Sequence, residues 1–231
     1  MTAAFSPGAQ LPQPGKNLAG PAGPVPRTSD GKPDLSGVWE RPFVPDMTKT
    51  GRNQQGAGEL PFTPWAKANL AEEFDYSAHC LPLGYTRSIN SPMPMEIAQR
   101  PGRIVFLYEM NNAFHVIFMD GRGHPKDLDA TWNGHSIGKW EGDALVVDTV
   151  GFNGKTRIDT EGHPHSDALH VVERFQRTDL GHMSYEVTVE DSKAYTKPWK
   201  NTRTFTLRPD WELQEYSCNE NNKDVVEGHI H

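Results

Sequence analysis

From about residue 93 onward, apolar and polar residues alternate in short runs separated by turn-forming residues. That pattern predicts strands joined by tight turns. Met95–Gln99 leads into a Pro101-Gly102 turn. Arg103–Met110 and Ala113–Asp120 flank Asn111-Asn112, a pair suited to a two-residue hairpin turn. Ser136–Trp140 and Ala144–Val150 flank Glu141-Gly142-Asp143, and Leu169–Arg177 and Met183–Glu190 flank a polar turn. Thr202–Leu207 and Glu212–Ser217 flank Arg208-Pro209-Asp210, and Leu35–Glu40 is an earlier short strand. About ten strands thus follow one another in hairpins. The expected fold class is all-β: an antiparallel meander, closed into a barrel because closure removes exposed edges. One short helix is expected at about 63–74, with Thr63 as N-cap and Pro64 as first helical residue.

With Asn111-Asn112 as the turn, Tyr108 faces His115, Phe106 faces Ile117 and Ile104 faces Met119. One face then carries Ile104, Phe106, Ile117 and Met119, with Tyr108 and His115 at its turn end. The other carries Val105, Leu107, Val116 and Phe118 with Glu109 and Phe114. An apolar wall with a few polar handles suits a small-molecule pocket. Two plainly buried faces are the alternative.

Composition changes this picture at the N-terminus. Residues 1–34 are mostly Gly, Pro and Ala, too poor in large apolar groups to fold alone. They read as an extended arm, laid on the barrel or on a second copy, where it would be a homodimer contact. Residues 35–231 form a single barrel domain. The 231 residues carry a net charge of −7 without a Lys/Arg run, which argues against nucleic acid as a partner. No apolar stretch approaches the ~18–20 residues of a membrane span. A soluble protein is expected. The N-terminus MTAAFSPGAQ lacks the basic and apolar regions of a signal peptide, so the compartment is cytoplasmic, or periplasmic or secreted if a signal has been removed. Cys80 and Cys218 are either bridged or two separate thiols.

The candidate chemistry clusters in three places. Asp120 and Arg122, in a tight turn before His124-Pro125, form a pair or touch a ligand. Trp132 and Trp140 bracket a glycine-rich stretch around His135 and offer stacking surfaces for a planar molecule. The densest cluster is residues 159–174, with His163, His165, His170, Glu173 and Arg174. On a strand, His170, Val172 and Arg174 share one face and Val171, Glu173 and Phe175 the other. In an acid–base reading, His165, His170 and Glu173 move protons while Arg174 and Arg122 stabilise an anion. Tyr108, His115, Asp120, Arg122, Trp132, His135 and Trp140 would then line the substrate pocket. In a metal reading, His163, His165 and His170 hold zinc or iron as in a cupin, but Glu173 follows His165 too distantly for the cupin pattern. No Gly-x-Ser-x-Gly elbow, phosphate loop or dinucleotide fingerprint is present, and no cofactor is expected. The expected function is a cofactor-independent isomerase, cyclase or lyase acting on an apolar or aromatic small molecule. A binding protein without catalysis and a cupin-type metalloenzyme are the alternatives.

Several segments together resemble a large, mainly bacterial and often exported family with no established activity. They are Asp30–Trp39, Cys80-Leu81-Pro82 with Arg87, Met119–Arg122 with His124-Pro125, Gly134–Gly138, Trp140–Asp143, Asp148–Phe152, Pro164–Ser166, His170, Val172–Phe175 and Cys218–Asn222. Gly37-Val38-Trp39 is also similar to the first strand of lipocalin-like barrels, whose Trp plugs the closed end. The resemblance implies a lipocalin-like barrel and an exported protein. It is broken at His115, where relatives tend to carry Arg, and at Leu83-Gly84-Tyr85-Thr86, where they have a Pro-rich turn.

Overall fold

The computed structural model describes residues 20–70, 79 and 81–216. Cys80, Cys218 and the carboxylate pair Glu72-Glu73 lie outside the described residues. Ten strands form one sheet: β1 (Gly37–Glu40), β2 (Gln54–Gln55), β3 (Met95–Arg100), β4 (Arg103–Tyr108), β5 (Ala113–Phe118), β6 (His135–Glu141), β7 (Ala144–Val150), β8 (His170–Arg177), β9 (His182–Glu190) and β10 (Trp199–Leu207). β1 pairs with both β3 and β10, which closes a ring of nine, while β2 is a two-residue addition on β10. The barrel expected from the alternation is therefore present. No helix among the described residues is long and apolar enough to cross a membrane.

Nine strands cannot alternate in direction all the way round a ring, so at least one neighbouring pair must run parallel. That pair is β5–β6, matched only at Ile117↔Ser136 and Phe118↔Ile137. The succession of hairpins breaks there: residues 119–134 cross back along the outside of the wall, because parallel neighbours need a long connection. Gly138 lets Met119 and Ile117 pack closely on the seam. A Cβ on it would lie 2.5 Å from Met119 Sδ and 2.8 Å from Ile117 Cγ2.

The β4–β5 hairpin corrects the expected register. Phe106, not Tyr108, lies opposite His115, and Tyr108 lies opposite Ala113. The connection spans residues 109–112, with Asn111 and Asn112 both at left-handed φ (60° and 47°). The slip is two residues, so every side chain keeps its face: Ile104, Phe106, Tyr108, His115 and Ile117 are buried inside. The helix ends earlier than expected, and positions 71–74 of the expected span lie outside the described residues. α1 is Pro64–Ala68, capped at Ala66 N–H by Thr63. Residues 212–216 form no strand, because both sides of β10 are already paired.

The interior is packed by Trp39, Phe106, Phe175, Tyr185 and Phe205. At one end lie the β3–β4, β6–β7 and β8–β9 turns, and residues 20–36 cover them. Arg27 pairs with Asp143, Gly23 accepts from Leu180 N–H, and Leu35 O accepts from Trp39 Nε1. At the other end lie the long loops. There α2 (Tyr85–Asn90), all six residues buried, fills the mouth. Arg41, just past β1, holds it by donating to Ser88 O and Met93 O (2.8 and 2.6 Å).

Candidate functional site

The splayed β5–β6 seam opens near the loop end into a cavity of about 630 Å³. Leu81, Phe114, Phe118 and Asn133 form its walls, and His115 and Ser136 its floor. Of four large hydrophobic residues left exposed among the described residues, two, Phe114 and Leu81, line this one cavity. A solvent-facing phenylalanine at 62 % exposure beside a concave apolar surface is a feature of binding sites.

Behind the floor runs a buried polar chain. His115 Nε2 lies 2.6 Å from Ser136 Oγ, which lies 2.6 Å from Thr149 Oγ1. The His115 ring stacks on Tyr85 with centroids 4.0 Å apart. The Tyr85 hydroxyl donates to Glu173, and so does the Tyr185 hydroxyl, at 2.7 Å. Burial pushes the Glu173 carboxyl up to about 7, against the opposing pull of the two phenols and Arg203. Burial, with His135 nearby, pushes His115 down to about 3, so its imidazole is neutral at physiological pH. It is a hydrogen-bonding group there, not a charge.

A second chain lies on the outer face. His135 Nδ1 is 2.8 Å from His124 Nδ1, and His124 Nε2 is 3.2 Å from Asp148 Oδ1. His170 Nε2 meets the same oxygen at 3.0 Å, and its Nδ1 lies 3.3 Å from Glu190 Oε2. One tautomer set satisfies the first links: His124 donates from Nε2 to Asp148 and accepts at Nδ1 from His135. Burial, then the charges of His124 and Arg122, lower the His135 pKa. His135 belongs to both assemblies, since it also lines the seam cavity.

The four residues expected to form one acid–base centre are separated. Glu173 points into the barrel, whereas His170 and Arg174 lie on its outside, Arg174 paired with Glu141 at 3.0 Å. His165 is buried in the 151–169 loop. Its Nδ1 donates to Ser166 O, and its Nε2 lies 2.8 Å from Thr156 Oγ1. The histidine triad His163, His165 and His170 is not brought together either. Among the described residues, the one group of three with metal-ligand spacing is Asp46, Asp159 and His163. Asp120 and Arg122 bind each other at 2.5 Å on the surface, Arg122 lying over the Phe118 ring. Trp132 sits in the crossover before β6, near Lys155, and Trp140 near the far end of β6 packs against the core, so they share no stacking surface. Tyr108 is buried within the barrel beside Arg41, away from the cavity lining.

Sequence reasoning did not single out Tyr85, Ser136, Thr149, Asp148 or Tyr185. Ser136 and Thr149 had a usable signal: each is a polar residue on a strand face whose other residues, Gly138 and Trp140 on β6 and Leu145 and Val147 on β7, carry no charge or polar chain. Tyr85 had no periodic signal, because its helix has no amphipathic pattern, and only its place in the 83–86 departure from the family resemblance pointed to it.

No family model matches the chain, and no curated protein does. Among solved structures, a secretary abundant heat soluble (SAHS) protein from Ramazzottius varieornatus is similar over 75 % of this chain and 95 % of that one. The identity is 10 % and the TM-score 0.33, too low to bear on function.

Proposed function

We propose that the protein binds a small apolar or aromatic molecule in the cavity at the β5–β6 seam. The observation that carries this reading is the placement of exposed Phe114 and Leu81 on one concave wall above the His115–Ser136 floor. An aromatic ring would bury Phe114 and Phe118, while a hydroxyl or carbonyl on it would meet His135, Asn133 or Ser136. Fluorescence titration with naphthol tests the reading. The wild-type chain should bind at one saturable site, and Phe114→Asp should weaken binding at least about tenfold, or ~1.4 kcal/mol, through loss of apolar wall. Equal affinity in the two proteins would remove the cavity as the site.

Acid–base catalysis on the bound molecule is a second reading, favoured by one observation. Glu173, held near neutrality, is linked through Tyr85 to the ring of His115 on the cavity floor. This reading expects conversion of the ligand co-purifying in native mass spectrometry, with a pH profile set by a group near 7. Glu173→Gln should then abolish conversion and leave binding intact. A ligand recovered unchanged after incubation counts against it.

A further inference from the structure

We propose that Asp46, Asp159 and His163 form a binding site for a transition-series divalent cation of the zinc class. Their ligand atoms all lie within 4.8 Å of one another. The site joins two segments distant in sequence. Asp46 precedes Met47, whose N–H donates to Asp159 Oδ2 at 2.9 Å, and His163 Nδ1 lies 2.7 Å from the same oxygen. Thr160 N–H and Oγ1 both bond Pro45 O, at 3.0 and 2.8 Å, so the loop and the 45–48 segment are already docked.

The independent observation is the other oxygen of Asp159. The residue is 1 % exposed, and Oδ1 is buried without a hydrogen-bond partner among the described residues. A buried carboxylate oxygen left unpaired is costly, and proteins seldom retain one without a use. Arg203 lies within electrostatic reach of Asp159, but its Nη1 and Nη2 donate to no described residue and so do not satisfy that oxygen. A cation bound to this carboxylate, with Asp46 and His163 as its other ligands, would offset that cost. Two carboxylates and an imidazole suit zinc and its neighbours. Magnesium and calcium prefer an all-oxygen shell of six or more. Water would complete the coordination on the side of Asp46, which is only half-buried.

The test is calorimetric titration of the chelator-stripped full chain with zinc chloride. One saturable site per chain is expected, together with a rise in melting temperature. Asp46→Asn and His163→Gln should each weaken binding at least about a hundredfold, the loss of a ligand exceeding the ~10–100-fold cost of an outer-shell change. The paired variant His124→Gln/His170→Gln should bind like wild type, which separates this site from the outer-face histidines. Where Asp159→Asn fails to fold, Asp46→Asn and His163→Gln decide, with folding checked by circular dichroism. The proposal is overturned if the wild type shows no saturable site, if both single variants keep wild-type affinity, or if affinity instead follows His124 and His170.

Discussion

Glu173 and Asp148 are carboxylates on neighbouring strands, one residue out of phase. Val147 lies opposite Glu173, and Asp148 lies opposite Val172. That single step puts one inside the barrel and the other outside. Glu173 is fully buried, with both oxygens taken by tyrosines, whereas the Asp148 side chain is 42 % exposed and shared by two histidines. Each has two partners. Burial, rather than the number of partners, sets what each group contributes, because desolvation acts on Glu173 and water screens Asp148.

The sharpest way to break this contrast is truncation. Glu173→Ala leaves two buried phenols without an acceptor and should cost about 3–5 kcal/mol in urea unfolding. A loss under about 1 kcal/mol would mean that water replaces the carboxylate and that the interior is wetter than its packing implies.

Next in size is pH dependence. Glu173 has a folded pKa of about 7 against an ordinary 4.5, so the folded state holds its proton more tightly. Its contribution is fully present below pH 4.5 and is lost as pH rises through 7, on the order of 3 kcal/mol in all. His115 runs the other way. Its folded pKa of about 3 lies below the ordinary 6.5, so its contribution is present above 6.5 and is lost as pH falls towards 3. The stability difference between wild type and Glu173→Gln, which cannot ionise, should therefore shrink steadily from pH 4.5 to 8. A difference independent of pH would remove the buried carboxylate from the account.

The smallest expected effect lies on the outer face. Asp148→Asn should change stability by less than about 1 kcal/mol, as exposed ion pairs do. A larger loss would show that the chain from His135 to Glu190 acts as a cooperative unit.

Which residues of β4, β5 and β8 share a face was legible in the sequence, because a period of two survives even a wrong register. Tyr108 and His115 kept their face although their pairing slipped by two residues. The turn length was not legible: Asn111 and Asn112 tolerate the left-handed region equally well in a two-residue and a four-residue connection. The parallel seam follows from ring closure, which no local pattern encodes. α2 is held by its surroundings, since Gly84 offers no side-chain cap and Tyr-Thr-Arg-Ser-Ile-Asn has little helical preference. Residues 212–216 show the converse, a strand-like segment beside a β10 whose two sides are already paired. The expected acid–base cluster failed for a related reason. On β8, His170 and Arg174 face away from Glu173, and His165 lies in the preceding loop, so the expected centre does not assemble, although Asp159 and His163 from the same stretch do meet.

The β1–β10 closure, Trp39↔Leu207 and Glu40↔Thr206, is as narrow as the β5–β6 seam. Between these two short zippers the ring divides into contiguous half-shells, one spanning β1 to β5 and the other β6 to β10, each with its own ladder of longer antiparallel pairs. Among the described residues, the crossover at 119–134 is the one stretch of chain that joins them. A chain nicked there would keep both ladders whole. The barrel wall is thus a clamshell in construction, two separately stitched valves meeting along four pairs of residues, with β2 clipped onto β10 by two more.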